Sequence, residues 1–340
     1  MHRKVAGLKR SVILSYLYQY SASLRPYASH YAQFWALKED SKHFGYLCPV
    51  CLINGFWVTA DDTFHSRGLE FSMDHYPPES VGGFQTIAVC KTCNNYAGDH
   101  YDFALKQKLA ELSFNSQLPG STLRTKSVID KIPGNYSSTI RIRPDGSFEV
   151  SFKPNRKAHT PHLDSWLDKS HKDPNWKADV TIPLVDEMLV GKALLKAAFL
   201  YAFAAWGYEF AFSYTGCKIR RVICDNDRYP LDVPSFWLGG QAPVGTQLPV
   251  GVCFAYNNPV FHCFVVNIPL RDLTTGYSNL VSVLLPGPSV TDWESLMCLG
   301  PGFEQYGDLT FSMVHVTEHL LGPKETDGYA KSWSLLQTKT

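Results

Sequence analysis

Two Cys-x-x-Cys pairs, Cys48-Pro-Val-Cys51 and Cys90-Lys-Thr-Cys93, stand 38 residues apart and constrain this chain more than any other feature. Four thiolates in two pairs are the ligand set of a closed tetrahedral zinc (Zn2+) site, and such a site is structural. Whatever else the chain does, it must carry residue 90 back to residue 48. The intervening loop holds an Asp74-His75 dipeptide, two prolines at 77 and 78, and Gly82-Gly83, and Asn94 follows the last cysteine directly. A carboxylate, an imidazole and an amide are thereby tied to one metal-stapled unit.

The 340-residue chain is ordinary by composition, 45% hydrophobic and 14% aromatic, which allows a sizeable core. Its formal net charge is only +1, so nucleic-acid contact must come from a local basic face. Of nine cysteines, Cys217, Cys224, Cys253, Cys263 and Cys298 are scattered and read as small core residues, which favours a reducing, cytoplasmic setting. The longest uncharged apolar run, 197–208, has twelve residues, too short to cross a bilayer, so no membrane span is expected.

In chain order, 4–40 reads as helical with a break at Arg25-Pro26, the second part carrying Phe34, Trp35 and Leu37. Residues 69–75 read as a strand ending on Asp74-His75, stopped by Pro77-Pro78 and reversed at the double glycine, and 86–89 is the returning strand. The second Cys pair opens a helix, continued over 101–112 by Leu105, Leu109 and Leu112. After a polar stretch over 115–135, Ile140 and Ile142 alternate with Arg141 and Arg143, Pro144-Asp145-Gly146 turns, and Phe148, Val150 and Phe152 return. Eleven Lys or Arg against six Asp or Glu over 124–177 make this the best candidate for a phosphate-facing surface. Residues 185–206 form an apolar helix interrupted after its first turn only by Lys192 and Lys196, and strands are expected at 217–224, 251–256, 260–268, 279–285 and 309–316.

The expected fold is α+β, with a helical segment over 1–45, a metal-stapled strand–loop–strand–helix unit over 46–115, a basic hairpin and linker over 116–180, and a mixed region with a mainly antiparallel sheet over 181–340.

The stretches CPVC, DHYPPESVGG and VCKTCNNYAG, in this order, resemble the HNH endonucleases with their ββα-metal fold. They look most like the four-cysteine branch that includes the phage junction-resolving endonucleases. The resemblance covers 48–102. It implies His75 as general base, Asp74 as carboxylate ligand and Asn94 as amide ligand of a catalytic Mg2+ or Mn2+, with Cys48, Cys51, Cys90 and Cys93 holding Zn2+. It further implies cleavage of DNA to a 5′-phosphate and a 3′-hydroxyl, in a setting such as restriction or anti-phage defence. Each role is chemically sound. Imidazole titrates near neutrality and can take a proton from water, and two oxygen ligands leave a hard cation open to phosphate and water. The chain departs from the family where its middle asparagine belongs, having Phe84-Gln85-Thr86 instead, so that Gln85 and Thr86 are the candidates for bracing the loop. Asn95, Asp99, His100 and Asp102 follow the second Cys pair and are either helix caps or further ligands. Two other functions stay open: a non-cleaving, zinc-dependent nucleic-acid binder or scaffold, and a nuclease gated by a sensor in 181–340, where a second copy or a regulatory partner would dock.

Overall fold

The computed structural model describes residues 4–5, 7–27, 45–58, 63–67, 70–130, 132–170, 177–224, 237–239, 250–256, 263–287, 290–299 and 312–315. Strands β1 (Lys4–Val5) and β2 (Leu8–Lys9) pair across Gly7, whose φ of +81° suits a glycine, so helix α1 (Arg10–Leu24) begins later than the helical pattern suggests. Its buried stripe of Ile13, Leu17, Tyr20 and Leu24 is the expected helical spacing. Phe34, Trp35 and Leu37 lie outside the described residues.

Strands β3 (Gly45–Leu47), β4 (Gly55–Val58) and β5 (Phe64–Arg67) form an antiparallel sheet in that order, and the first Cys pair is the turn between β3 and β4. A second antiparallel pair, β6 (Phe71–His75) and β7 (Thr86–Cys90), sets Asp74 opposite Ile87 and His75 opposite Thr86. The chain then enters helix α2 (Lys91–Ala97), a π-helical turn over Gly98–Asp102, and α3 (Phe103–Asn115). The expected strand–loop–strand–helix order is therefore present. Tyr46, fully buried, ties the two sheets together by donating from its hydroxyl to the carbonyl of Ala88 at 2.8 Å.

Next comes a four-stranded antiparallel sheet. Its members are β8 (Thr122–Ile129), β9 (Tyr136–Ile142), β10 (Phe148–Pro154) and, after helix α4 (Thr160–Ser170), β11 (Ala178–Thr181), in the order β10-β9-β8-β11. The hairpin between β9 and β10 follows the predicted alternation. Strand β8 corrects the reading of 115–135 as a polar connection. Its inner face alternates Leu123, Thr125, Ser127 and Ile129, and the hydroxyls of Thr125 and Ser127 are buried and both bond that of Ser138, the first at 2.6 Å. Polar residues thus occupy core positions because they bond one another across the sheet.

Helix α5 (Glu187–Trp206) is the centre of the molecule. Asp186 caps it by accepting from the amides of Met188 and Leu189 at 3.0 and 3.3 Å. By length and hydropathy the helix is able to cross a membrane, yet 83% of its most apolar window is buried inside the fold, the mark of a core helix. Short α6 (Tyr208–Phe212) and α7 (Tyr214–Cys224) follow. The latter overturns the strand expected at 217–224: Thr215, Ile219, Val222 and Ile223 are buried at helical spacing, which outweighs the local alternation.

The last sheet, in the order β12-β15-β14-β13-β16, joins β12 (Trp237–Gly239), β13 (Gly251–Tyr256), β14 (Cys263–Arg271), β15 (Ser278–Pro286) and, beyond α8 (Val290–Leu299), β16 (Ser312–His315). All its pairings are antiparallel, matching the strands expected there; the Asn257-Asn258-Pro259 turn is outside the described residues. One hydrophobic cluster runs from Leu8 through the Cys unit and α5 to Trp293. The fold is thus mixed α and β with antiparallel sheets. Of the cysteines expected in the core, Cys263 is buried, Cys217 half-buried and Cys224 exposed.

Candidate metal centre and adjoining cleft

The first Cys pair is folded by its own backbone. The amide of Leu52 donates to the carbonyl of Cys48 at 2.9 Å, and that of Cys48 to the carbonyl of Asn54 at 2.8 Å, with Leu52 at a φ of +53°. Cys90 ends β7 and Cys93 lies in the first turn of α2, so strand and helix together deliver the second pair. The four sulfurs all lie within 4.8 Å of one another, and Cys51 and Cys90 are 3.9 Å apart. In a tetrahedral site with Zn–S near 2.3 Å, sulfurs stand about 3.8 Å apart.

Donors already point at them. Asn54 Nδ2 reaches Cys90 at 3.2 Å, and the amides of Ile53 and Cys90 reach Cys51 and Cys48 at 3.5 Å. Bonds from the neighbouring thiols, that of Cys48 foremost, pull Cys51 down to about 7 and also lower Cys90, while burial pushes Cys48 up. Crowded thiols with N–H donors fit a site that is completed by a cation. The cluster can hold a metal ion such as zinc.

Beside it lies a cleft of ≈ 350 Å³ at the end of the β6–β7 hairpin, lined by Asp74, His75 and Asn94 together with Asp102, Phe103 and Lys106. The three residues singled out from sequence therefore border one space. The loop of Pro78, Glu79 and Ser80 forms another wall. It closes tightly at Gly83, where a Cβ would lie 1.6 Å from the carbonyl oxygen of Pro77. Bracing of this loop comes from main-chain bonds, Tyr76 N to Gln85 O at 3.0 Å and Gly83 N to Pro78 O at 3.2 Å, which takes over the task considered for the side chains of Gln85 and Thr86.

Asn94 donates from Nδ2 to Ser72 Oγ at 2.9 Å. Its amide nitrogen is engaged, and its carbonyl oxygen is the atom left for a ligand. His75 is half-buried on the cleft wall. Asp74 is 4% exposed and meets a cation the sequence reading did not assign to this place: Lys196 of α5, whose Nζ donates to Oδ1 at 3.1 Å and lies 2.9 Å from Oδ2. The same ammonium bonds Asp102 Oδ2 at 3.1 Å. Burial pushes both carboxyls up from the ordinary range, and Lys196 opposes it. Burial likewise works against the charge on Lys196, but the two carboxylates outweigh it and hold the ammonium above the usual lysine range. With both acids ionised, the triad carries one net negative charge.

Comparison of the chain with known protein families, with curated proteins and with solved structures finds no match.

Among the residues after the second Cys pair, Asp102 joins the cleft, whereas His100 lies on the ring of Tyr96 at 4.1 Å and bonds its carbonyl at 2.9 Å. The π-helical turn is what brings Asp102 and Phe103 to this position. Such turns often mark functional sites. Lys196 was missed because a lysine in an apolar helix gives no hint of a partner 122 residues away; its being one of only two interior charges in that helix was the available signal. Lys192, the other, sits over the rings of Tyr96 and Tyr101 at 5.5 and 5.3 Å.

Three side-chain oxygens of the cleft residues are candidate cation ligands. Asp74 Oδ2 and Asp102 Oδ1 are buried without a hydrogen bond, and the amide oxygen of Asn94 is a neutral oxygen donor.

Proposed function

We propose that the protein is a metal-dependent endonuclease of the ββα-metal (HNH) type that hydrolyses phosphodiester bonds in DNA. The observation that carries this reading is the convergence of Asp74, His75 and Asn94 on one cleft, at the end of a hairpin joined to its helix by the four-cysteine cluster. In this reading Zn2+ occupies the cysteine cluster and is structural. Asp74 and Asn94 hold Mg2+ or Mn2+, which when bound would stabilise charge on the scissile phosphate and on the leaving oxygen.

His75 accepts a proton from the attacking water. The fixed wall at Gly83 and the Tyr76–Gln85 bond hold the backbone of the strand end that carries His75. Lys106, exposed at the cleft, presents a positive charge to a neighbouring phosphate, and Phe103, 50% exposed beside it, presents a ring face to a base. Farther away, Arg124, Lys126, Arg141 and Lys153 are exposed on one face of the four-stranded sheet, among hydroxyls of Ser137, Thr139 and Ser151. That face supports a backbone-directed contact with nucleic acid.

The test is nicking of plasmid by the purified chain in Mg2+ or Mn2+, beside His75→Ala. Equal nicking by both removes His75 from the mechanism. A second reading, a non-cleaving nucleic-acid binder, is favoured by the Lys196 ammonium already on Asp74. It expects salt-sensitive DNA binding, no nicking, and no response of binding to Asp74→Ala or to chelation of Mg2+.

A further inference from the structure

Helix α5 belongs to the core, yet one of its side chains ends at the wall of the cleft. Lys196 is 3% exposed and bridges two carboxylates that both line that space. The bridge is incomplete: Asp74 Oδ2 has the ammonium 2.9 Å away but no hydrogen bond, and Asp102 Oδ1 has none either. Each acid therefore keeps one buried oxygen with capacity for another positive partner.

We propose that Lys196 is a positioning residue that competes with a divalent cation for Asp74, and that Asp102 is its counterweight, so that the Lys196–Asp102 pair sets the cation affinity of the cleft. The inference rests on the reading of Asp74 as a cation ligand. A cation bound to Asp74 is repelled by an ammonium 2.9 Å from the same carboxylate, and in a partly buried site such repulsion is only weakly screened. Asp102 acts in the opposite direction. It shares the ammonium at 3.1 Å, adds a negative charge, and lets Lys196 shift its weight away from Asp74 when a cation arrives.

The two members of the pair must then move cation binding in opposite directions, which loss of structure alone does not do. The experiment is Mn2+ binding to the full-length, zinc-loaded chain, followed by calorimetry and by the spin-resonance signal of free Mn2+. Lys196→Met is expected to tighten the Mn2+ Kd by about tenfold or more, and Asp102→Asn to weaken it by about tenfold, which is about 1.4 kcal/mol in each direction. Lys196→Arg, which keeps the charge, restores wild-type affinity.

Asp102→Asn is nearly isosteric and leaves the Lys196–Asp74 pair intact, so it carries the test even if Lys196→Met fails to fold. Wild-type binding that is lost in Asp74→Asn but unchanged or tightened in Asp102→Asn overturns the inference while leaving the cation reading standing. Absence of any Mn2+ binding sensitive to Asp74→Asn overturns both.

Discussion

Tyr208→Phe removes one oxygen and, by the geometry around it, two buried hydrogen bonds. The hydroxyl donates to the carbonyl of Leu47 at 2.6 Å and accepts from the amide of the same residue at 2.6 Å. Leu47 ends β3, the edge strand of its sheet, and Cys48 follows immediately, so this one side chain finishes the backbone on which the first metal-binding pair is mounted. Phenylalanine preserves the ring against Phe203 at 5.1 Å and Tyr46 at 6.2 Å and leaves no cavity. What it leaves is an amide and a carbonyl with no partner at a fully buried site. Each such orphan costs roughly 1–3 kcal/mol, partly offset because the phenol no longer has to be desolvated, which gives a net loss of roughly 2–4 kcal/mol. Urea unfolding of the zinc-loaded chain measures it as a lower midpoint at unchanged slope. Tyr46→Phe is the control, since it loses a single bond to Ala88 and should cost about 1 kcal/mol. A Tyr208→Phe loss below about 1 kcal/mol, or no larger than that of the control, would refute the double-bond reasoning.

Replacing any one cluster thiol, as in Cys93→Ser, should reduce bound zinc from one equivalent per chain to well below half by elemental analysis after dialysis against a chelator. Gly83→Ala should lower the unfolding midpoint markedly and nicking with it, because the new methyl group meets the backbone of Pro77, whereas Gly146→Ala meets nothing within 4 Å and pays only for its positive φ. Lys106→Ala should raise KM for DNA about tenfold with kcat nearly unchanged and should flatten the salt dependence of binding, because the side chain is at the mouth and not among the reacting groups. In Asp272, burial favours the protonated acid, but bonds from the Thr274 amide and the Thr275 hydroxyl prevail and hold it below its ordinary 3.8. Its contribution to stability is therefore present above pH 3.8 and is lost as pH falls through the lower folded value; urea midpoints between pH 5 and 2 should fall more steeply for wild type than for Asp272→Asn.

Legibility in the sequence followed the range of the interaction. The two Cys pairs, the strand ending at His75 and the β-branched return over Thr86–Cys90 were readable because spacing and local chemistry alone define them. The hairpin of β9 and β10 was readable for the same reason, its turn and alternation lying within a few residues. Strand β8 was not: Thr125 and Ser127 occupy inward positions only because Ser138 faces them from another strand. Helix α7 was misread since Cys217 and Ile219 alternate with Lys218 and Arg220 locally, while the face that decides the matter packs against α5 and α8. In the cleft, Asp74, His75 and Asn94 were visible as a short-range pattern, but Lys196 and the part played by Asp102 depended on a contact across more than ninety residues.

Those long-range contacts also bear on how the metal-stapled unit holds together. A cysteine cluster fixes only the ends of the hairpin and the start of α2; it does nothing for the buried acids at the hairpin's far end. Lys196 bridges them and offsets one of their two charges, Tyr208 completes β3, and Phe203 stacks on Tyr20 at 4.9 Å, all three from the segment 187–212. If the ammonium alone were lost and the helix kept, Asp74 and Asp102 would face each other with no cation between them, and a buried acid deprived of its partner costs about 3–5 kcal/mol. That is comparable to a large part of a domain's net stability. The physical boundary of the candidate site therefore lies beyond residue 115: it includes α5, and a fragment that ends before residue 187 should bind zinc through its four thiols yet show neither cooperative unfolding nor Mn2+ binding at Asp74.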